Sequence, residues 1–140
     1  MNLSRIFDIA GSGMTAQSVR MNTVASNLAN AQTSASSEAE AYKAKQAVFQ
    51  TVQHEADGQY SESAKGVEVV DIVESNAPAD KRYEPDHPDA DGEGYVYYSN
   101  VNVVEEMANM IAASKAFNAE VEVMNTTKSM LQRVLTLGQG

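Results

Sequence analysis

Cysteine is absent from the 140-residue chain, and positive charge is scarce. Without cysteine there are no disulfide bonds, thiolate metal ligands or cysteine nucleophiles. No apolar run approaches the roughly 20 residues of a membrane-spanning helix. The N-terminus lacks the basic stretch, unbroken apolar run and cleavage site of a general secretory signal, so we expect no cleaved signal.

Acidic residues outnumber basic ones by 19 to 10, which gives a net charge of −9. The excess falls in residues 38–100, which carry fourteen acids and five bases, whereas residues 1–37 and 101–140 are nearly neutral. An acidic middle argues against nucleic-acid binding. The nearly neutral ends suit dense helix packing, where like charges would repel.

Residues suited to catalysis or metal binding are few. The only histidines, His54 and His87, lie more than thirty residues apart, and no serine-nucleophile or phosphate-binding glycine motif accompanies them. The acidic run 86–92 fails as a calcium loop, because His87 takes the first ligand position and Tyr98 the twelfth. We therefore expect no enzyme activity, cofactor, metal or small-molecule substrate. A hydrolase with its site in residues 80–94 remains an alternative.

The last forty residues carry a heptad pattern typical of a long helix that packs along other helices. Asn102 and Glu105 form a capping-box signal, and Gly138 is expected to end the helix in the left-handed cap position. The pattern predicts a helix over residues 102–137. Apolar or small residues recur at steps of four and three, with Lys128 in the one gap: Val103, Met107, Met110, Ser114, Phe117, Val121, Met124, Leu131 and Leu135.

Residues 3–31 repeat this pattern and predict a second long helix. Gly11 and Gly13 weaken it, because each glycine costs about 1 kcal/mol relative to alanine in a helix interior. We expect this segment to be disordered alone and helical only on assembly. One amphipathic helix of an ordinary bundle is the alternative. The periodic positions are Leu3, Phe7, Ala10, Met14, Gln17, Met21, Val24, Leu28 and Ala31.

The middle of the chain changes to a strand period. Residues 44–52, 67–73 and 95–98 are predicted strands, with a hairpin connection over 53–66 and a proline-rich acidic loop over 74–94. The fold class is therefore α+β, with long N- and C-terminal helices paired as a coiled coil. The predicted domains are a helical core (1–33 and 101–140), a Ser/Ala-rich linker (34–41) and a small β-rich outer domain (42–100).

Residues 25–31, which read Ala-Ser-Asn-Leu-Ala-Asn-Ala, resemble the N-terminal signature of bacterial flagellar rod and hook proteins. Tyr42-Lys43 matches the Tyr-Lys pair that follows this signature in the family. The linker at 32–41 departs from the more usual Thr-Pro-Gly or Pro-Tyr forms. Further blocks that resemble the family in order and spacing are 83–97, 100–107, 121–128 and 135–139.

The resemblance implies an axial structural subunit. Family members stack their terminal helices into the inner tube of the rod, which transmits torque and encloses the export channel, with the β-rich region outside. The implied partners are copies of the chain, other proximal rod proteins, the proteins at the junction of rotor ring and rod, and the distal rod. The implied location is the flagellar basal body, in the periplasmic rod, reached through the flagellar type III export apparatus.

The residues expected at subunit interfaces come from the two periodic faces and the Asn-Leu-Ala-Asn run. A soluble coiled-coil adaptor, with both helices paired in one monomer, and another axial protein of the rod and hook family remain alternatives. The expected interface residues are Leu3, Phe7, Met14, Met21, Val24, Asn27, Leu28, Asn30, Met107, Met110, Phe117, Val121, Met124, Leu131 and Leu135.

Overall fold

A computed structural model describes residues 3–53 and 65–138, which form a pair of long helices and two small antiparallel sheets. The helices are α1 (Leu3–Asn30) and α2 (Val103–Leu137). Both predicted helices and the predicted α+β class are therefore confirmed. Within the described ranges, neither helix has the length and apolar character needed to cross a membrane.

The two ends of α2 are closed in different ways. Asn102 is the N-cap, and its side-chain oxygen accepts hydrogen bonds from the backbone N–H groups of Val104 (3.1 Å) and Glu105 (3.3 Å), as predicted. Gly138 has a φ of −81°, so the predicted left-handed cap is wrong. Its N–H donates to the Val134 carbonyl at 3.1 Å. The last turn thus closes by ordinary helical bonding, which needs no left-handed residue.

The helices run antiparallel, and α1 is the only helix or strand that α2 contacts among the described elements. Its buried residues, Glu106, Ala113 and Thr127, recur at multiples of seven, and Glu120 of the same series lies against Gly13. Met107 is 55% exposed. The face of α2 toward α1 is therefore rotated by about one residue from the predicted series, because small and polar residues form its line of closest approach.

Strands β2 (Lys45–Gln53) and β3 (Lys65–Glu74) pair in antiparallel register, with Lys45 opposite Glu74 and a bulge near Val48 and Phe49. They confirm the two longer predicted strands. Both strands contact α1, where the Val67 N–H donates to the Ser12 hydroxyl at 3.1 Å. The predicted hairpin connection, including His54, lies largely outside the described residues.

The second sheet joins β1 (Ser34–Ala35), β5 (Tyr95–Tyr98) and β4 (Asp80–Tyr83), with β5 in the centre. Strand β5 has its predicted bounds, and its Val96 is fully buried. The predicted linker contributes β1, and the predicted proline-rich loop contributes β4. All four residues of β4, Asp-Lys-Arg-Tyr, are exposed. The strand buries no face, so its sequence shows no alternation of apolar and polar residues. The strand is instead held by its pairing with β5.

Candidate functional site

Asn27, near the end of α1, lies at a junction of several elements and is fully buried. Its Nδ2 donates hydrogen bonds to the Lys45 carbonyl (2.8 Å) and to Glu106 Oε2 (2.9 Å). Its Oδ1 accepts from the Lys45 N–H (2.9 Å) and the Tyr42 hydroxyl (3.0 Å). Both amide protons and both oxygen lone pairs are thus used. One side chain ties α1 to α2, to the start of β2 and to the segment before β2.

Asn100 makes a similar contact from the segment that leads into α2. Its Oδ1 accepts from the Ala44 N–H at 2.7 Å, and its Nδ2 donates to the Ala77 carbonyl at 2.8 Å. The Ala44 carbonyl also accepts from the Ser75 N–H at 2.8 Å. We call Ala44 and Lys45, where the chain enters β2, the root of the β2–β3 hairpin. Asn100 and Asn27 together hold this root.

Further polar contacts surround this junction. The Ser26 and Tyr42 hydroxyl oxygens are 3.1 Å apart, and Asn30 Nδ2 donates to the Ser26 carbonyl at 2.8 Å. The Asn30 carbonyl accepts from the Thr33 hydroxyl, just after the helix ends. Asn30 thus bonds within its own helix end.

The opposite end of α2 is bare. Every residue from Lys128 to Gly138 is exposed, including Leu131, Leu135 and Leu137. Gly13 lies against Glu120, and Asn27 lies against Glu106. The two contacts are therefore 14 residues apart on each helix. By that register, Leu3 lies opposite about residue 130. We call residues 131–137, which extend past this point, the α2 overhang.

A second uncovered surface lies on the outer side of α2. Val104, Met107 and Ile111 are all more than half exposed and follow one another at steps of three and four residues. That spacing places them on one stripe of the helix. The stripe points away from Glu106 and Ala113, which are the residues buried toward α1.

The residues expected at subunit interfaces fall into three groups within the single chain. Val24 and Asn27 are buried, and Met107, Leu131 and Leu135 are exposed. The other ten are partly buried: Leu3, Phe7, Met14, Met21, Leu28, Asn30, Met110, Phe117, Val121 and Met124.

Sequence reasoning did not find the roles of Glu106, Lys45 and Asn100 at the junction. Asn100 and Glu106 both lie in the block 100–107 that resembles the rod family, and this was the one available signal. The residue type of Glu106 added none, because an acid in the first turn of a helix is explained by the helix dipole alone. The Lys45 contact uses its backbone, which no side-chain pattern can reveal.

The acidic loop before β5 is organised by its own hydrogen bonds. Asp91 Oδ1 accepts from the backbone N–H groups of Tyr95 and Glu93, both at 2.9 Å, and these bonds hold the pKa of the Asp91 carboxyl below its usual value. His87 Nδ1 accepts from the Asp89 N–H at 3.1 Å. Within residues 3–53 and 65–138, no three His, Asp or Glu side chains gather where they could hold a metal ion.

The described residues form a helix pair with a closed polar junction at one end and bare apolar surfaces elsewhere, features typical of a structural protein that packs through its helices. Family models cover both helices: "Flagella basal body rod protein" matches residues 7–34, and "Flagellar basal body rod FlgEFG protein C-terminal" matches residues 93–137. The two matched segments contain Asn27, Asn100 and Glu106 of the junction, and the α2 overhang.

Full-length relatives give the same result. The chain is 51% identical to the flagellar basal-body rod protein FlgC of Escherichia coli O6:H1 and 48% identical to FlgC of Salmonella typhimurium, in both cases over 99% of this chain and 100% of the relative. FlgC of Borreliella burgdorferi is 34% identical over the whole of both chains. The chain therefore belongs to the family of flagellar basal-body rod proteins. It is a structural rod subunit of the flagellar basal body, which confirms the resemblance found in the sequence.

Proposed function

We propose that the chain is a subunit of the proximal rod, and that it assembles through its terminal helices into the helical tube that transmits torque and surrounds the export channel. The observation that carries this proposal is the bare α2 overhang. Its apolar residues have no cover among the described residues of their own chain, although Leu131, Val134 and Leu135 continue the helical face that α1 covers further back.

Burial of these surfaces supplies the energy for assembly. Each Å² of apolar area removed from water contributes about 25 cal/mol, so contacts of a few hundred Å² would offset part of the cost of ordering the helices. A contact between two different surfaces that does not close into a ring repeats as a helix, which is the geometry of a tube. The overhang and the outer stripe are two such different surfaces on one helix.

The expected interface residues then divide by their exposure. Met107, Leu131 and Leu135 would contact neighbouring subunits directly, and the partly buried members would be covered on one side by their own chain and on the other by a neighbour. In this arrangement residues 1–33 and 101–140 form the axial core, 34–41 the linker and 42–100 the outer domain. The proposal includes no catalytic activity, cofactor, metal, nucleic acid or small-molecule substrate.

The partners in this proposal are copies of the chain, other proximal rod proteins, the proteins at the junction of rotor ring and rod, and the distal rod. The subunit would reach the periplasmic part of the rod through the flagellar type III export apparatus, without a cleaved signal. The identity of the relatives as rod proteins supports this assignment, and the two uncovered helix surfaces supply contacts that it requires.

Replacement of Leu131 by aspartate tests the proposal. In a strain without its own copy of the protein, we expect Leu131→Asp to abolish rod assembly and motility, because the charge would be buried in a subunit contact. Ser129→Asp is the matched control, since Ser129 is exposed in the same part of α2 and lies outside the overhang face. Isolated basal bodies and swimming assays are the measurements.

Normal rods and swimming with Leu131→Asp would contradict the proposed contact. A purified chain that remains monomeric at high concentration would show that α1 and α2 pair within one subunit before assembly. Exported protein that is not incorporated into rods would support the assembly role and rule out a failure of export.

A further inference from the structure

We infer that Asn27 and Asn100 are positioning residues that clamp the root of the β2–β3 hairpin onto the helix pair, so that the hairpin cannot pivot on the helices. This inference rests on the proposed function, because a subunit that transmits torque between its helical core and its outer part gains from a fixed joint between them. We call the two side chains, with the backbone of Ala44 and Lys45, the asparagine clamp.

The two side chains of the clamp come from separate parts of the chain, and they bond two adjacent residues of the hairpin root. Asn27 approaches from the end of α1 and bonds both the N–H and the carbonyl of Lys45. Asn100 approaches from the segment before α2 and bonds the N–H of Ala44. A root held by one bond could swing about it. Bonds from two side chains at successive residues fix its direction as well as its position.

Asn100 also links the two ends of the hairpin. Its Nδ2 bonds the Ala77 carbonyl, just after β3, while its Oδ1 bonds the N–H just before β2. The Ser75 N–H to Ala44 carbonyl bond closes the same root on the backbone. The chain that enters the hairpin and the chain that leaves it are thus fixed to the same side chain.

Asparagine suits both positions because its amide has a donor and an acceptor side by side. At Lys45 the Asn27 amide donates to the carbonyl and accepts from the N–H, which reproduces the pairing that a neighbouring strand would provide. Aspartate would keep the acceptor and lose the donor. Leucine would lose both while keeping a similar size.

The link to α2 depends on Asn27 and Glu106. The hairpin backbone packs close to α1, whereas among the described elements it does not come close to the backbone of α2. The bond from Asn27 Nδ2 to Glu106 Oε2 therefore connects α2 to the hairpin root through one shared side chain. Glu106 is only 6% exposed, so its carboxylate needs this donor.

A distance measurement separates loss of the clamp from general unfolding. Because the chain has no cysteine, spin labels can be attached at chosen pairs of introduced cysteines in the full chain. Ala29 with Gln50 reports the distance from α1 to the hairpin, and Ala29 with Ala119 reports the distance from α1 to α2. All three positions are exposed. Pulsed electron paramagnetic resonance gives the width of each distance distribution.

We expect narrow distributions for both pairs in the otherwise unchanged chain. Asn100→Leu should broaden the Ala29–Gln50 distribution and leave the Ala29–Ala119 distribution unchanged, because Asn100 bonds the hairpin root and neither helix. Asn22→Asp, at an exposed position of α1, is the control and should change neither. Equal broadening of both pairs by Asn100→Leu, or of neither, would overturn the clamp.

The Asn27 arm has its own rescue test. Asn27→Asp places a second carboxylate against Glu106 and removes the donor to Lys45, so the melting temperature of the full chain should fall. Adding Glu106→Gln removes the repulsion and restores a donor in the opposite direction, so part of the loss should be recovered. No recovery in the double variant would overturn the role of the Asn27–Glu106 bond.

Swimming assays distinguish this inference from the proposed function. If Asn100→Leu leaves the hairpin distribution narrow while Leu131→Asp still abolishes rod assembly, the clamp is wrong and the rod function stands. If Leu131→Asp has no effect on rods, the proposed contact fails whatever the distance distributions show. Broadened hairpin distances together with slower swimming under viscous load would support both.

Discussion

The two ends of α2 differ in the kind of residue that each hides and exposes. Near its start, Asn27 and Glu106 form a polar contact that is almost completely shielded from water. At its far end, Val134 is 62% exposed and Leu137 is 81% exposed. Soluble proteins usually show the reverse, with polar residues outside and large apolar residues inside. The face of α2 toward α1 is therefore covered within the chain near the start of the helix and uncovered at its far end.

The contrast arises along one continuous face of the same helix. Glu106, Ala113 and Thr127 are buried at multiples of seven, and Val134 is the next member of that series. The face itself does not end at Thr127. Among the described residues it becomes exposed where the cover from α1 ends, because the described part of α1 is seven residues shorter than α2. The pattern of the face continues past the described end of α1, so Val134 has no cover from the described part of α1.

Phe117→Asp should give the largest effect, because Phe117 is partly buried between the two ends. A carboxylate placed against α1 would be poorly paired, and burying an unpaired charge costs several kcal/mol. We expect loss of the helix pair, measured as lost helical circular dichroism, and loss of rods. Leu131→Asp should lose rods while the isolated chain keeps its helical signal, since Leu131 is exposed in the isolated chain.

Asn118→Asp is the control for Phe117→Asp, because it adds the same charge at the neighbouring exposed position. Its effect on stability should stay within about 0.5 kcal/mol, as for most surface substitutions. If the two variants are equally stable, Phe117 is not part of the face that α1 covers. The covered face of α2 would then not extend through Phe117.

Amide hydrogen exchange should show the same contrast in the unchanged chain. Opening free energies within one protein range from about zero at frayed ends to the full stability of the core. We expect the slowest exchange at Lys45 and near Asn27, and the fastest along residues 131–137. Uniformly fast exchange in both helices at micromolar concentration would contradict this order and would favour the sequence-based expectation that residues 3–31 become helical only on assembly.

Much of the architecture could be predicted from the sequence, because it depends on local periodicity. The heptad steps gave both helices to within one residue, and alternation with β-branched residues gave β2, β3 and β5. Strands β1 and β4 were missed because they are two and four residues long and depend on β5 for their hydrogen bonds. A short strand held by its neighbour leaves almost no signal in its own residues.

The candidate site was predictable in part for a different physical reason. Exposed apolar residues such as Leu131 and Leu135 belong to a periodic face, so the sequence indicated them as contact residues, and this role remains a prediction. The asparagine clamp joins residues that are distant in sequence, Asn27 with Glu106 and Asn100 with Ala44. Such pairings follow from tertiary geometry and cannot be deduced from spacing. The rotation of the α2 face by one residue has the same origin, because it depends on Gly13 and Ala113 allowing close approach.

The smallest expected effect is a difference in stability between alanine substitutions at the two glycines of α1, Gly11 and Gly13. A Cβ at Gly11 would meet no atom within 4 Å, whereas a Cβ at Gly13 would lie 2.7 Å from Glu120 Oε1. Gly11→Ala should therefore stabilise the chain by about 1 kcal/mol, the difference in helix propensity between the two residues. Gly13→Ala should gain less, because the Glu120 side chain must move to make room. Chemical denaturation of the two variants measures both changes.

If Gly13→Ala stabilises the chain as much as Gly11→Ala does, Glu120 moves without cost and the helices are not closely packed at this point. The contrast between a tightly paired α2 and its bare overhang would then be weaker than the buried residues indicate.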